Sequence, residues 1–326
     1  MSKCIGCGIE LQTENPNSLG YTTNIESKIC TRCFRIKHYG EYKEVLLNNK
    51  DYQQIINNIP STSLIVYITD LLSLNLDNMP KRDNIILVLS KFDILPKSTK
   101  PEKIIAKIKK QLPNILDVLI ISSLKNYQID TLYNKIIKHH HNKPVYLIGN
   151  TNSGKSTLLN KLIKNYSDNQ TPNITISMYP STTLDKVEIT LNKIKIIDTP
   201  GLIEEGNYLN IVDRQTLKKI TPKKEIKPKS CQITGTGSIL IDNLARIDYN
   251  TKTPNSIVIY TSPNIKTNFI SKTNPTLKSQ VKHKYSIKEN KDIVLPGLGF
   301  IKCTKPLEVT IITKDNINIR IRDNLI

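Results

Sequence analysis

The chain has 326 residues, which is too long for one small core and predicts two or three domains of roughly 150 residues each. Hydrophobic residues make up 38% of it, and no apolar run approaches the roughly 18 residues that a membrane-spanning helix needs. Residues 1–20 resemble neither a signal peptide nor a transit peptide, so we expect a cytoplasmic protein without a membrane partner. Lys and Arg total 47 against 28 Asp and Glu, and this net charge of +19 favours a polyanionic partner.

Four cysteines at the start of the chain form two CxxC pairs, Cys4/Cys7 and Cys30/Cys33, separated by 22 residues. Two such turns can present four thiolates to one tetrahedral zinc ion, which would stabilise a segment that has few apolar residues. We therefore predict a zinc-finger module over residues 1–45. A redox pair or spare thiols are the alternatives. Cys231 and Cys303 are isolated and are expected to be ordinary thiols.

Residues 46–215 alternate short runs of Ile, Val and Leu with amphipathic segments, a pattern typical of a parallel α/β sheet covered by helices. The predicted strands and helices are, in chain order, strands Leu64–Thr69 and Ile85–Ser90, helix Glu102–Gln111, strand Val118–Ser122, helix Ile129–His139, strand Val145–Gly149, helix Lys155–Lys164 and strand Ile194–Asp198.

The last third of the chain is strongly basic. Residues 214–326 carry 21 Lys and Arg against 8 Asp and Glu, which is +13 of the total charge. Within it, residues 216–230 contain six lysines and two prolines, which predicts an exposed linker. Its lysines either solvate the linker or contact phosphates, and we favour the second interpretation. Residues 231–326 show short strand-like runs and predict a basic, β-rich domain that binds RNA or the ribosome.

A phosphate-binding loop follows the strand Val145–Gly149, where residues 149–156 match GxxxxGK[ST] between a predicted strand and a predicted helix. Backbone N–H groups of the loop and the positive helix end would bind phosphates, Lys155 would pair with phosphate oxygens, and the Ser156 hydroxyl would ligate Mg²⁺. A glycine turn with a chance lysine is the alternative. The predicted nucleotide-binding residues of this region are Gly149, Asn150, Asn152, Ser153, Gly154, Lys155, Ser156 and Thr157.

The sequence DTPG at 198–201 ends the last predicted strand, 42 residues after Ser156. Asp198 can hold Mg²⁺ through water, and Gly201 can donate its N–H to a γ-phosphate. The polar loop at 179–185 supplies a further hydroxyl for the metal, for which Thr183 is preferred over Thr182.

Two loops before the phosphate loop have the character of base-reading segments. In Ser90-Lys91-Phe92-Asp93, the Asp93 carboxylate would accept from the guanine N1–H and amino group, and the Lys91 stem would pack over the base. An ordinary strand exit is the alternative for this motif. Ser122-Ser123 resembles the loop whose backbone contacts guanine O6. Because both loops precede the phosphate loop, the chain order is inverted relative to ordinary GTPases, as in a sheet that has been circularly permuted.

This combination resembles the YqeH family of circularly permuted GTPases that act in assembly of the small ribosomal subunit. The resemblance rests on the leading cysteine pairs, the inverted loop order, and the segments 222–229, 244–249, 292–300 and 322–326. The family usually has Asn at position 90 and Gly at position 181, where this chain has Ser.

The resemblance implies a permuted P-loop GTPase sheet with GTP or GDP, Mg²⁺ and Zn²⁺ as cofactors. It implies the 30S subunit and 16S rRNA as partners, and we expect a monomer off the ribosome. Leu202 stands where Ras-like enzymes orient water with Gln, and Asn152 occupies the position that helps related GTPases bind K⁺. The resemblance therefore predicts slow, potassium-assisted hydrolysis with Lys155, Thr183 and Asn152 as the catalytic residues. An RNA-binding zinc protein with a vestigial nucleotide site and a P-loop ATPase are the alternative functions.

Overall fold

The computed structural model describes residues 2–5, 10–14, 16, 20–24, 26–31, 33–34, 46–47, 49–167, 187–272 and 281–326. The chain divides into two compact units. Unit 1 comprises Met1–Asp70, Asn75–Phe92 and Ile105–Ile203, and unit 2 comprises Leu71–Leu74, Asp93–Ile104 and Glu204–Ile326.

Unit 1 contains a six-stranded sheet in the order β4-β3-β2-β5-β7-β6. Only the β6–β7 pair is antiparallel. The inner strands of the six-stranded sheet are buried along nearly their whole length, which explains why they are almost continuously apolar. The strands of the sheet are β2 (Leu64–Asp70), β3 (Ile85–Ser90), β4 (Asp117–Ile120), β5 (Val145–Gly149), β6 (Val187–Leu191) and β7 (Ile194–Asp198). A separate parallel pair joins β1 (Leu46–Leu47) to β8 (Gly201–Leu202).

Four helices accompany these strands: α1 (Asn49–Asn57), α2 (Pro101–Gln111), α3 (Ile129–His139) and α4 (Lys155–Tyr166). Each buries an apolar stripe, as the amphipathic pattern predicts. The five predicted strands and three predicted helices are confirmed. The predicted strand ending at Ser122 stops two residues earlier, because Ser122 and Tyr127 hydrogen-bond to each other and close a turn.

The strand order confirms the circular permutation. Strands β3 and β4, which lead into the base-reading loops, come before β5 in the chain, and β2 lies beside β5 in the sheet. In the sheet, the strands lie in the order of a doubly wound fold. In the chain, the first strand of the sheet is β2, which lies in the middle of the sheet. Loops after β3 and β5 therefore leave from the same edge, because parallel strands end together.

Unit 2 is dominated by an eight-stranded sheet in which every strand pair is antiparallel. The predicted β-rich C-terminal domain is confirmed. Two short helices, α5 (Tyr208–Ile211) and α6 (Arg214–Ile220), precede the sheet. Its strands are β9 (Lys229–Ile241), β10 (Ala245–Thr261), β11 (Thr267–Ile270), β12 (Val281–Ile287), β13 (Lys291–Leu295), β14 (Gly299–Cys303), β15 (Leu307–Thr313) and β16 (Arg320–Asp323).

The segment predicted as a linker differs from that expectation. Residues 216–220 complete α6, and Ile220 and Ile226 are fully buried. The border between the two units falls after Ile203 rather than after residue 215. The apolar residues interspersed among the lysines explain the difference, because Ile220 and Ile226 bury their side chains in unit 2 while most of the lysines stay exposed.

Candidate nucleotide and metal sites

The phosphate loop connects β5 to α4 with backbone angles that constrain its residues. Gly154 has φ of 96° and Asn152 of 61°, both in the left-handed region that favours glycine or asparagine. A Cβ atom on Gly149 would lie 2.3 Å from the Ile68 carbonyl oxygen in β2. The glycines at both ends of the motif are thus required by the fold, and α4 begins without a side-chain cap on its first N–H groups.

The lysine of the phosphate loop, Lys155, forms an ion pair with Asp198 of the DTPG sequence. Lys155 Nζ lies 2.8 Å from Asp198 Oδ1, and both side chains are fully buried. These residues come from α4 and from the end of β7, which is separated from β5 by one strand spacing. The residue expected to bind phosphate and the residue expected to hold Mg²⁺ are therefore adjacent.

Three buried polar atoms of this region have no hydrogen-bond partner among the described residues: Asn150 Oδ1, Ser153 Oγ and Asp198 Oδ2. Buried polar atoms normally have a partner, since leaving one unpaired costs about 1–3 kcal/mol. Carboxylate and hydroxyl oxygens are ligands that Mg²⁺ prefers. These oxygen atoms fit a site for a nucleotide phosphate with its Mg²⁺.

The predicted base-reading loop is hydrogen-bonded to the phosphate loop. Ser90 Oγ donates to the Ser153 carbonyl oxygen, and Lys91 Nζ donates to the Asn152 carbonyl oxygen. The sequence places these pairs more than 60 residues apart. The Ser90 hydroxyl, at the position where the family usually has Asn, thus holds the phosphate loop.

The segment after β3 and the segment after β4 are also joined. The Phe92 N–H donates to the Ile121 carbonyl oxygen at 3.1 Å, and the Phe92 and Tyr127 rings stack with centroids 5.4 Å apart. Asp93 follows in a 3₁₀ helix, Phe92–Ile94. Ser122 and Ser123 are buried. Tyr127 was not singled out by the sequence analysis, although an exposed aromatic residue after the Ser-Ser pair is the signal that could have found it.

Leu202 has a structural role that the sequence analysis did not foresee. Its carbonyl oxygen accepts from the Thr151 N–H at 2.8 Å, and it forms a bridge with Asn150 of the phosphate loop. Its side chain is buried, so it offers no group that could orient water. Gly201 pairs with Leu46 through β8 and β1. Thr182, Thr183 and Ser181 lie outside the described residues.

The N-terminal cysteines form a compact cluster. The sulfur atoms of Cys4, Cys30 and Cys33 all lie within 4.8 Å of one another, and the three residues are buried. The Cys30 N–H donates to Cys4 Sγ at 3.2 Å, and the Cys33 N–H donates to Cys30 Sγ at 3.4 Å. Three thiol ligands held in this way fit Zn²⁺. The fourth predicted ligand, Cys7, lies outside the described residues.

The other two cysteines match the expected ordinary thiols. Cys231 and Cys303 are free. Burial raises the pKa of Cys303 to about 12, with a smaller contribution from Asp292, and burial also raises the pKa of Cys231. A raised pKa disfavours the thiolate form, so both cysteines remain protonated thiols at neutral pH.

Sequence comparison identifies the family. YqeH of Bacillus subtilis is 33% identical to this chain over 362 residues, covering 99% of both chains. The chain belongs to the YqeH family. A family model described as 50S ribosome-binding GTPase also matches residues 144–237, which contain the phosphate loop and the DTPG motif.

More distant relatives of this YqeH family member cover less of it. NO-associated protein 1 of Arabidopsis thaliana is 24% identical over 72% of this chain and 49% of its own length. Genetic interactor of prohibitins 3 of Saccharomyces cerevisiae is 27% identical over 50% of this chain and 39% of its own length. The crystal structure of YjeQ from Thermotoga maritima aligns at 15% identity over 43% of this chain and 48% of that chain, with a TM-score of 0.27. In the described part of the chain, each helix is too short or too polar to cross a bilayer.

Proposed function

We propose that this protein is a guanine-nucleotide switch that hydrolyses GTP slowly and acts in assembly of the 30S ribosomal subunit by binding 16S rRNA. One observation carries the nucleotide part of the proposal. Ser90 and Lys91 of the base-reading loop bind the backbone of Ser153 and Asn152 in the phosphate loop. The loop proposed to read the base is thereby held against the loop proposed to bind the phosphates. A P-loop ATPase would not need this contact, because it has no guanine-selecting residue such as Asp93.

The phosphate groups would be bound by the N–H groups of residues 150–156, with Lys155 exchanging its pairing with Asp198 for a phosphate oxygen. Mg²⁺, when bound, would neutralise charge on the β- and γ-phosphates. Asp198 and the Ser156 hydroxyl would hold it, together with the predicted Thr183. The exposed Asn152, at the tip of the loop, is the proposed K⁺-binding residue.

The absence of a water-orienting side chain at position 202 supports slow turnover. Leu202 is buried and its backbone is bonded to Thr151, so this proposal assigns the role of a water-orienting side chain to no residue and adds K⁺ to Lys155 and Mg²⁺ as a source of transition-state stabilisation. The predicted zinc module and the basic unit 2 support an rRNA partner, because Lys-rich surfaces bind phosphodiester backbones.

Co-sedimentation with ribosomal subunits tests the proposal. Purified 30S and 50S subunits would be incubated separately with the protein in GDP, a non-hydrolysable GTP analogue or the corresponding ATP analogue. We expect association with 30S that depends on the guanine nucleotide. Association with 50S alone would agree with the description of the matching family model and contradict the small-subunit assignment. Equal association with all nucleotides would favour an RNA-binding zinc protein with a vestigial nucleotide site.

A further inference from the structure

Two segments far apart in the chain lie side by side within unit 2. The Ile226 N–H donates to the Ile94 carbonyl oxygen at 2.8 Å, and Glu225 Oε1 accepts from the Lys97 N–H at 2.8 Å. The Ile94 and Ile226 side chains are buried in one apolar cluster. The segment that follows Asp93 is therefore held against the segment predicted as a basic linker.

This contact brings two groups of lysines to one region. We define the composite basic surface as Lys97, Lys100 and Lys103 from the first segment with Lys223, Lys224 and Lys227 from the second. All six side chains are exposed, and none forms an ion pair with a described residue. The sequence alone suggests only the second group, because the first lies 120 residues earlier in the GTPase region.

Neighbouring lysines of the same segment are used differently. Lys229 Nζ donates to the Ile265 carbonyl oxygen at 2.9 Å, and Lys219 Nζ lies 4.0 Å from an Asp242 carboxylate oxygen. Lys229 therefore supports the fold of unit 2, whereas Lys219 forms an exposed ion pair at the longest distance for such a contact. The six members of the composite basic surface have no comparable contact, so their positive charge remains available to a partner.

The chemistry of the composite basic surface selects its partner. None of the large apolar side chains that are exposed in the described part of the chain falls in residues 93–104 or 221–229. Protein interfaces are enriched in aromatic residues and Arg and depleted of Lys, whereas lysines bind phosphates as point charges. Glu225, one of the few acidic residues in these segments, already accepts from the Lys97 backbone.

We infer that the composite basic surface binds the phosphodiester backbone of RNA, without reading sequence. The inference rests on the proposed rRNA binding and extends it, because it assigns three lysines of the GTPase region to the RNA-binding surface. Phosphate contacts of this kind position a protein on RNA, and each releases counterions when it forms. Binding should therefore lose part of its salt dependence when these lysines are removed.

The test uses the full chain with Lys97→Ala, Lys100→Ala and Lys103→Ala combined, and a fluorescently labelled RNA hairpin as the probe. Binding is measured by anisotropy over a range of KCl concentrations. We expect the slope of log affinity against log salt to become shallower by roughly 2 to 3, which corresponds to the loss of three phosphate contacts. Replacing the same three lysines with Arg should keep the wild-type slope.

The matched control removes the same charge elsewhere. Lys138, Lys143 and Lys164 are also exposed and belong to unit 1, so their combined change to Ala lowers the net charge equally. Equal slopes for the two triple variants would overturn the inference. If the Lys97, Lys100 and Lys103 triple Ala variant binds RNA like the wild type but no longer associates with the ribosome, the partner of this surface is instead an acidic protein. A wild-type protein without salt-dependent RNA binding would contradict the proposed function itself. GDP binding by every variant verifies that it is folded.

Discussion

Lys155 Nζ and Asp198 Oδ1 lie 2.8 Å apart with both side chains fully buried, so the residues predicted to bind phosphate and Mg²⁺ form a buried ion pair with each other. Removing one partner of such a pair leaves an uncompensated charge in the interior, which is far more costly than replacing both. The site thus links nucleotide binding to the stability of unit 1.

Lys155→Met should destabilise the nucleotide-free protein by about 3 kcal/mol, because Asp198 loses the ammonium group that lies 2.8 Å from its carboxylate. Adding Asp198→Leu should recover most of that stability without restoring nucleotide binding. Urea unfolding of the wild type, the single variant and the double variant measures this. A single variant as stable as the wild type would show that the pair is not what neutralises Asp198.

Asp93→Asn should weaken GTP binding and strengthen binding of xanthosine triphosphate. The physical reason is that an amide N–H can donate to the xanthine oxygen where the carboxylate accepted from the guanine amino group. Competition against a fluorescent GDP analogue measures both. Asp83→Asn is the control, since it removes the same charge from an exposed loop residue. Equal wild-type affinities for GTP and ATP would contradict guanine selection.

Zinc should be bound at about one atom per chain, and its removal should unfold the N-terminal module. Elemental analysis of protein purified without chelator measures the content. Cys33→Ser should lower it strongly, because Cys33 is in the buried sulfur cluster. Cys231→Ser, in β9, should leave it unchanged. A metal-free protein whose N-terminal module remains folded would refute the zinc assignment.

Hydrolysis should be faster in potassium than in sodium, and Asn152→Gly should abolish the difference. Glycine is the suitable replacement because Asn152 has φ of 61°, where an Ala side chain would add strain of roughly 1–2 kcal/mol. We expect the potassium rate to fall at least about tenfold, with GDP binding retained through Lys155 and the backbone N–H groups. Single-turnover assays in matched salts measure it. Asn142→Gly, at an exposed position with φ of 57°, is the control for the effect of an Asn-to-Gly change in a left-handed conformation. Equal wild-type rates in both salts would exclude potassium assistance.

Asp117 provides a prediction about pH. Burial raises the pKa of this carboxyl, but hydrogen bonds from Lys109, Lys135 and the Val118 N–H outweigh burial and lower its pKa overall. A lowered folded-state pKa contributes stability above the unfolded-state value, and this contribution is lost as pH falls through the folded-state value. Asp117→Asn should therefore cost about 1 kcal/mol at neutral pH and progressively less in acid. Urea unfolding at several pH values measures it, and a constant difference would contradict the prediction.

Much of the α/β unit could be predicted from the sequence. A continuous run of Ile, Val and Leu such as Ile85–Leu89 has few stable positions other than the inside of a parallel sheet, because both of its faces must be buried. The phosphate loop was equally predictable, since its glycines and lysine follow one another along the chain. The inverted order of the base-reading and phosphate loops also followed from local motifs alone.

The tertiary structure decided the contacts between residues that are distant in the chain. Ser90 holds the phosphate loop, the Leu202 carbonyl accepts from the Thr151 N–H, and the Ile226 N–H donates to the Ile94 carbonyl. None of these contacts has a periodic signal in the sequence, because each depends on where two separately formed segments meet. The sequence by itself determined five strands and three helices of unit 1 and the position of the phosphate-loop motif, because these depend on local patterns. Only packing determined which lysines, such as Lys229, bond within unit 2 and which stay exposed, because that depends on the neighbour that burial brings to each one.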